Sequence, residues 1–234
     1  MNETPPNPSA PLMQENPSLQ PITPPPPKSF GIAGAMVGVL FNILNWLVIP
    51  ILIVFVLHYF VFQAFHVVGS SMNPTLHDAD YIIVSKTGKT ISQLEHKAYI
   101  PGRYDVVVFH YPKDPSLIFV KRVIGLPGEH VVVKDGHATV YNQANPQGFN
   151  PDIETYKRAA DTTLGSFDDV VPQGQIFVLG DNRTPNGSFD SREWGFLPSS
   201  YIVGNAVIRL LPLDQFRIFS YVEQEIPKII QTII

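Results

Sequence analysis

The chain has no cysteine. That absence excludes disulfides, thiolate metal sites and a cysteine nucleophile together. Charge is scarce as well: 15% of the 234 residues are Asp, Glu, Lys or Arg, against roughly 25% in an average soluble domain. There is no dense Lys/Arg run and the net charge is -4, so the basic face that nucleic-acid binding needs is missing. No His-Glu-x-x-His pattern occurs and the seven histidines are scattered without ligand spacing, so neither a metal nor another cofactor is expected. The scarcity of charge has a local cause, because between Ser29 and His77 there is not one Asp, Glu, Lys or Arg.

Proline is plentiful: 23 residues, ten of them within Met1 to Ser29, including the run from Pro24 to Pro27. Such a segment buries too little apolar surface to offset its ordering entropy, so residues 1–29 read as a disordered tail. Residues 30–65 then form a dense apolar run. A bilayer core of about 30 Å needs about 20 apolar residues in a helix, which allows one span and not two. The span is placed at Val37 to His58, with a kink expected at Pro50 and an aromatic belt at Tyr59, Phe60, Phe62 and Phe65. A cleaved secretion signal would have an apolar region of only about 7–15 residues and a small-x-small site. Phe62-Gln63-Ala64 lacks the first small residue, so an uncleaved anchor is expected. Lys28 lies nearer the run than Lys86 does, which tilts the positive-inside rule towards a cytoplasmic N-terminus.

Beyond the anchor the period changes to two. Tyr81–Val84, Tyr104–Phe109, Ile118–Ile124, Val131–Val133, Ile176–Leu179 and Ala206–Leu210 are short, β-branched and separated by turn residues. The expectation is a mainly β domain over residues 66–220. Asp135-Gly136 predicts a two-residue hairpin turn. Residues 142–175 read as a surface insertion with one helical turn near Ile153 to Ala160, and residues 221–234 as a C-terminal tail.

Three stretches could carry chemistry. Ser71 lies in Gly69-Ser70-Ser71-Met72-Asn73-Pro74, just past the anchor. A plain loop would look the same, and a serine needs a neighbouring base to become a nucleophile. No Gly-x-Ser-x-Gly elbow surrounds it, although a histidine base stays open from the residues alone. Lys121 shares a strand face with Phe119 and Val123 while Arg122 points the other way. A buried lysine whose pKa falls by about 3 units can act as a base; a lysine snorkelling from a half-buried strand fits the same pattern. The third stretch, Gly180-Asp181-Asn182-Arg183 and Ser188 to Gly195, packs acids and arginines into one loop, which suits a bonded network or a solvated turn.

These stretches, in this order behind an N-terminal anchor, resemble the bacterial type I signal peptidases (leader peptidases), membrane-bound serine endopeptidases with a Ser/Lys dyad. The resemblance runs from about Phe65 to Phe219 and includes Tyr104-Asp105-Val106-Val107-Val108-Phe109 and Lys121-Arg122-Val123-Ile124-Gly125-Leu126-Pro127-Gly128. It implies Ser71 as nucleophile and Lys121 as general base. It also implies Ser188 as the serine that orients the lysine, Asp190 and Arg192 as a structural pair, and Asp181 as the partner of Arg122. The Ser71 backbone N–H is an expected oxyanion donor. Some members carry a hydroxyl residue two positions before the nucleophile, where this chain has Gly69, so the second donor is unassigned. The loop Thr184-Pro185-Asn186-Gly187 is about two residues longer than the family's usual form.

The resemblance further implies a monomer in the bacterial cytoplasmic (inner) membrane. It has a single pass, its catalytic domain outside, and exported preproteins with small-x-small sites as partners beside the lipid bilayer. Two other readings compete. A self-cleaving repressor of related chemistry would carry a DNA-binding helical module in place of the anchor. A non-catalytic binding module would have little use for both Ser71 and Lys121.

Overall fold

The computed structural model describes residues 31–152 and 162–219. The proline-rich tail 1–29, the helical turn expected at 153–160 and the C-terminal tail 221–234 lie outside these residues. The chain divides into two compact units between Ile49 and Pro50.

Helix α1 (Ile32–Val56) continues without a break through Pro50 and passes into a π-helical turn at Leu57–Val61. Residues Met36–Val61 are long and apolar enough to cross a membrane, which brackets the expected span. Their apolar side chains are left uncovered, from Met36 to Phe60, which suits a lipid solvent and would be unfavourable in water.

The second unit is built of antiparallel strands: β1 (Phe62–His66), β2 (Tyr81–Ser85), β3 (Val106–Tyr111), β4 (Asp114–Gly125), β5 (His130–Lys134), β6 (His137–Tyr141), β7 (Phe167–Val170), β8 (Gln175–Leu179), β9 (Leu197–Pro198), β10 (Ile202–Leu211) and β11 (Arg217–Ile218). The larger sheet runs β1-β2-β10-β3-β4-β8-β9 with β11 on β10, and the smaller runs β6-β5-β7. Asp135 and Gly136 both have positive φ and turn β5 into β6, with Lys134 opposite His137, the hairpin that this dipeptide favours.

Period two explains why β3 reads as an unbroken apolar run. Val106 and Val108 face one core with Met72, Leu76, Ile82 and Val84, while Val107 and Phe109 face another with Val123, Ile176, Val178 and Trp194. Both faces are covered, so no polar alternation remains. A third core of Ile124, Val131, Val133, Val140, Phe177 and Leu179 joins the two sheets. Each such fully buried side chain contributes about 1.5–3 kcal/mol.

Three features differ from the sequence reading. Phe65, expected in an interfacial belt, lies in β1, where it turns inward with Gln63 and packs on the first core, while Phe62 at the start of that strand stays exposed. Aromatic composition suits a membrane edge and a half-buried strand equally, so it could not separate them. Helix α2 (Thr87–Leu94) was not anticipated, because Ile91 and Leu94 are its only large apolar residues. The stretch 142–175 contains β7, which pairs with β5, and Phe149, which bridges to Val140.

Candidate active site

The loop between β1 and β2 is a compact turn. Its backbone is closed by Asn73 N–H to Ser70 O (3.1 Å), Thr75 N–H to Met72 O (2.8 Å) and Leu76 N–H to Met72 O (2.9 Å). Met72 and Leu76, four apart, both point into the first core. Pinning those two side chains leaves Val68, Gly69 and Ser70 exposed and Ser71 half-buried at the rim.

Strand β4 brings Lys121 to this rim. Lys121 pairs with Val107 of β3 and is 4% exposed. Its Nζ lies 2.8 Å from Ser71 Oγ, donates to Val120 O (2.9 Å), and sits 5.5 Å from the Phe119 ring centroid. Among the described residues Lys121 is the only side chain hydrogen-bonded to Ser71 Oγ, and no histidine takes that place. Burial pushes the Lys121 amine down to about 8, against the opposing pull of the Asp190 and Asp181 carboxylates. The amine is then half neutral near pH 8, and the neutral form has a lone pair that can accept a proton.

Arg122, on the other face, forms a bidentate pair with Asp181 (2.8 and 2.6 Å) and donates to Tyr104 O (2.7 Å). The loop that carries Asp181 also grips the serine turn: Asn182 N–H donates to Ser71 O (3.0 Å) and Asn182 Nδ2 to Ser70 O (3.1 Å). Gly180 must be glycine here, because a Cβ would run into Ser188 Oγ and Ser71 O. Arg183 Nε donates to Gly180 O (2.6 Å) and its Nη1 to Asp152 (2.6 Å) and Thr163 (2.8 Å), tying residues on both sides of 153–161 to the site. Asn182, Arg183, Asp152 and Thr163 have no role in the sequence reading. The two loop residues stand inside a recognised motif, but their partners are remote in the chain.

Asp190 is fully buried and accepts from Gly180 N–H (3.0 Å) and from Arg192 Nε and Nη2 (2.8 Å each). It also caps the short helix Ser191–Trp194 in a capping box with Glu193. The expected bond between Ser188 and Lys121 is not formed. Ser188 Oγ is buried beside Gly180 without a hydrogen-bond partner among the described residues. The amine's bonds go to Ser71 Oγ and Val120 O instead.

The Ser71 backbone N–H donates to no acceptor among the described residues. Gly69 has φ +93°, open space where a Cβ would project, and its N–H on Asp78 Oδ1 (2.7 Å). A side chain is strained in that backbone region, so the loop here is shaped for glycine.

Known proteins are similar to this chain in sequence. The family model described as "Signal peptidase, peptidase S26" matches residues 40–211. Signal peptidase I of Bacillus caldolyticus is 36% identical over 72% of this chain and 90% of its own length. Signal peptidase I of Leptolyngbya laminosa is 35% identical over 67% of this chain and 72% of its own. A crystal structure of a signal peptidase I from Enterococcus faecalis V583 is 31% identical over 45% of this chain and 96% of that one, with a TM-score of 0.36. With a family model covering most of its length and relatives above 30% identity along theirs, this chain belongs to the signal peptidases of the S26 peptidase family.

Proposed function

We propose that the protein is a membrane-anchored serine endopeptidase that removes N-terminal signal peptides from exported preproteins, with Ser71 as nucleophile and Lys121 as general base. The observation that carries this reading is the 2.8 Å contact between Ser71 Oγ and a buried lysine amine whose pKa is held near 8. A neutral amine offers one lone pair and two N–H bonds. The lone pair takes the Ser71 proton while one N–H stays on Val120 O.

Ser71 Oγ then attacks the scissile carbonyl carbon, and the developing oxyanion is met by the Ser71 backbone N–H. Collapse breaks the C–N bond, and Lys121 returns the proton to the leaving amine. Water, deprotonated by the same amine, cleaves the acyl ester and frees Ser71. Arg122 with Asp181 and Asp190 with Arg192 hold the framework, while Ser188 lies beside Gly180, which is packed against Ser71 O.

The substrate enters as a strand. Along Asp114 to Val120, β4 pairs with β3 on one edge, and β8 joins its other edge only from Arg122 onward. The free edge leads to Lys121 and offers backbone bonds to an extended peptide with small side chains at the cut. The apolar span anchors the enzyme, as a monomer, in the cytoplasmic membrane, with the N-terminus inside and the β domain outside. Lys28, nearer the span than any basic residue after it, supports that orientation.

Cleavage of a preprotein bearing an Ala-x-Ala site, in detergent or liposomes, tests the dyad. Wild type is expected to cut it, and Ser71→Ala and Lys121→Met are each expected to lose activity on the order of a thousandfold or more with circular dichroism unchanged. Cleavage that survives Lys121→Met would remove lysine as the base.

A further inference from the structure

Two lysines that the chemistry above does not use stand at the end of the apolar span. Helix α2 packs against the last turn of that span: Thr90 Oγ1 donates to Phe60 O (3.1 Å) and Lys86 Nζ to His58 O (3.0 Å). Between them lies a cavity of about 490 Å³ whose lining includes Tyr59, Phe60, Lys86, Lys89, Gln93 and Leu94.

The charge in this cavity is not balanced. Lys86 Nζ is bonded to His58 O and Gln63 Oε1, and Lys89 Nζ to the carbonyls of Ser200 and Ile202. All four acceptors are neutral, and among the described residues neither lysine has a carboxylate partner. An ammonium has three N–H bonds. Each lysine therefore keeps one N–H donor for a ligand, with Lys86 Nζ also 6.0 Å from the Tyr59 ring centroid, although burial draws both amines below the ordinary lysine value.

Position and lining identify the ligand. Tyr59 and Phe60 belong to the apolar span itself, within its final turn, so the cavity opens at the depth where lipid headgroups begin. Leu94, on the cavity wall, is 76% exposed, a poor surface for water and a good one for the upper part of an acyl chain. A free phosphate would gain nothing from Tyr59, Phe60 and Leu94. We propose that Lys86 and Lys89 bind the phosphate of an anionic phospholipid headgroup, docking helix α2 on the membrane surface. This inference rests on the reading of Met36–Val61 as a membrane anchor and is independent of the dyad.

The test uses the full-length protein in detergent, titrated with phosphatidylglycerol or phosphatidylcholine, with bound lipid counted by native mass spectrometry. Flotation with vesicles of the same lipids runs in parallel. Phosphatidylglycerol is expected to be retained in preference to phosphatidylcholine, and the double variant Lys86→Gln/Lys89→Gln to bind it roughly thirtyfold more weakly, from about one lipid-surface contact's worth of energy per lysine. Lys86→Arg/Lys89→Arg should retain it, and cleavage of a soluble peptide by the glutamine variant should be unchanged. Equal retention of the two lipids, undiminished binding by the glutamine variant, or displacement of the lipid by equimolar inorganic phosphate would each overturn the site. Protein that does not float at all removes the anchor and this site together, whereas protein that floats without lipid preference removes the site alone.

Discussion

Lys121 costs the fold stability before it does any chemistry. An amine lowered from 10.5 to about 8 by burial is protonated more readily in the unfolded chain than in the folded one. Between those two values the unfolded state binds more protons, so folded stability rises with pH across that window. At neutral pH the buried charge therefore costs about 3 kcal/mol. In the mechanism proposed above, the same shift gives activity a pH dependence, because there only the neutral amine accepts the Ser71 proton. We expect kcat/KM for peptide cleavage to rise through a single ionisation near pH 8 and then level off. A profile centred near 6.5 would instead indicate a histidine. Lys121 was legible in the sequence because a strand's period of two puts it beside Phe119 and Val123, and the structure packs those two side chains with the second core. Asn182 was not, because the side chain that holds the serine turn reaches Ser70 across 112 residues of chain. Local pattern carries no trace of a contact that only the folded sheet creates.

At the scale of elements, the serine turn and the lysine strand are brought together by a third piece, the loop from Gly180 to Trp194. Asp190 is its joint: one carboxylate caps the short helix, accepts Gly180 N–H and neutralises Arg192. Removing it with Asp190→Ala strands a buried guanidinium and an uncapped helix, and should cost about 3–5 kcal/mol in urea unfolding along with activity. Asp190→Asn keeps a capping oxygen while losing the charge pair, so it should fall between wild type and alanine in both measurements. Equal losses for the two variants would mean that the cap contributes nothing. Most of the elements around this joint could be read beforehand, since β3, β4, β8 and the β5–β6 hairpin announce themselves by β-branched runs and turn residues. β7 and β11 could not: Phe167-Asp168-Asp169-Val170 and Arg217-Ile218 are too short and polar to signal a strand, and they become strands because β5 and β10 present free edges to them.

For the whole molecule, the distance along the chain from the apolar span to Ser71 is what the architecture fixes. The span ends at Val61 and Ser71 follows ten residues later. At no more than 3.3–3.6 Å per residue, the serine lies within about 35 Å of the end of the apolar span, and so of the bilayer in which that span is proposed to sit. A preprotein still held in the membrane by its signal peptide presents its cleavage site in the same thin layer. With the span anchored as proposed, enzyme and substrate meet in two dimensions, and the effective concentration this creates is lost when the anchor is removed. A chain beginning at Leu57 keeps His58 O for Lys86 and Phe60 O for Thr90, so the contacts of the last turn with α2 survive the truncation. That shortened enzyme should cut a soluble Ala-x-Ala peptide at the full-length rate, yet cut a liposome-embedded preprotein on the order of a hundredfold more slowly. Equal slowing on both substrates would make the helix a structural support for the β domain and remove the tether from the mechanism.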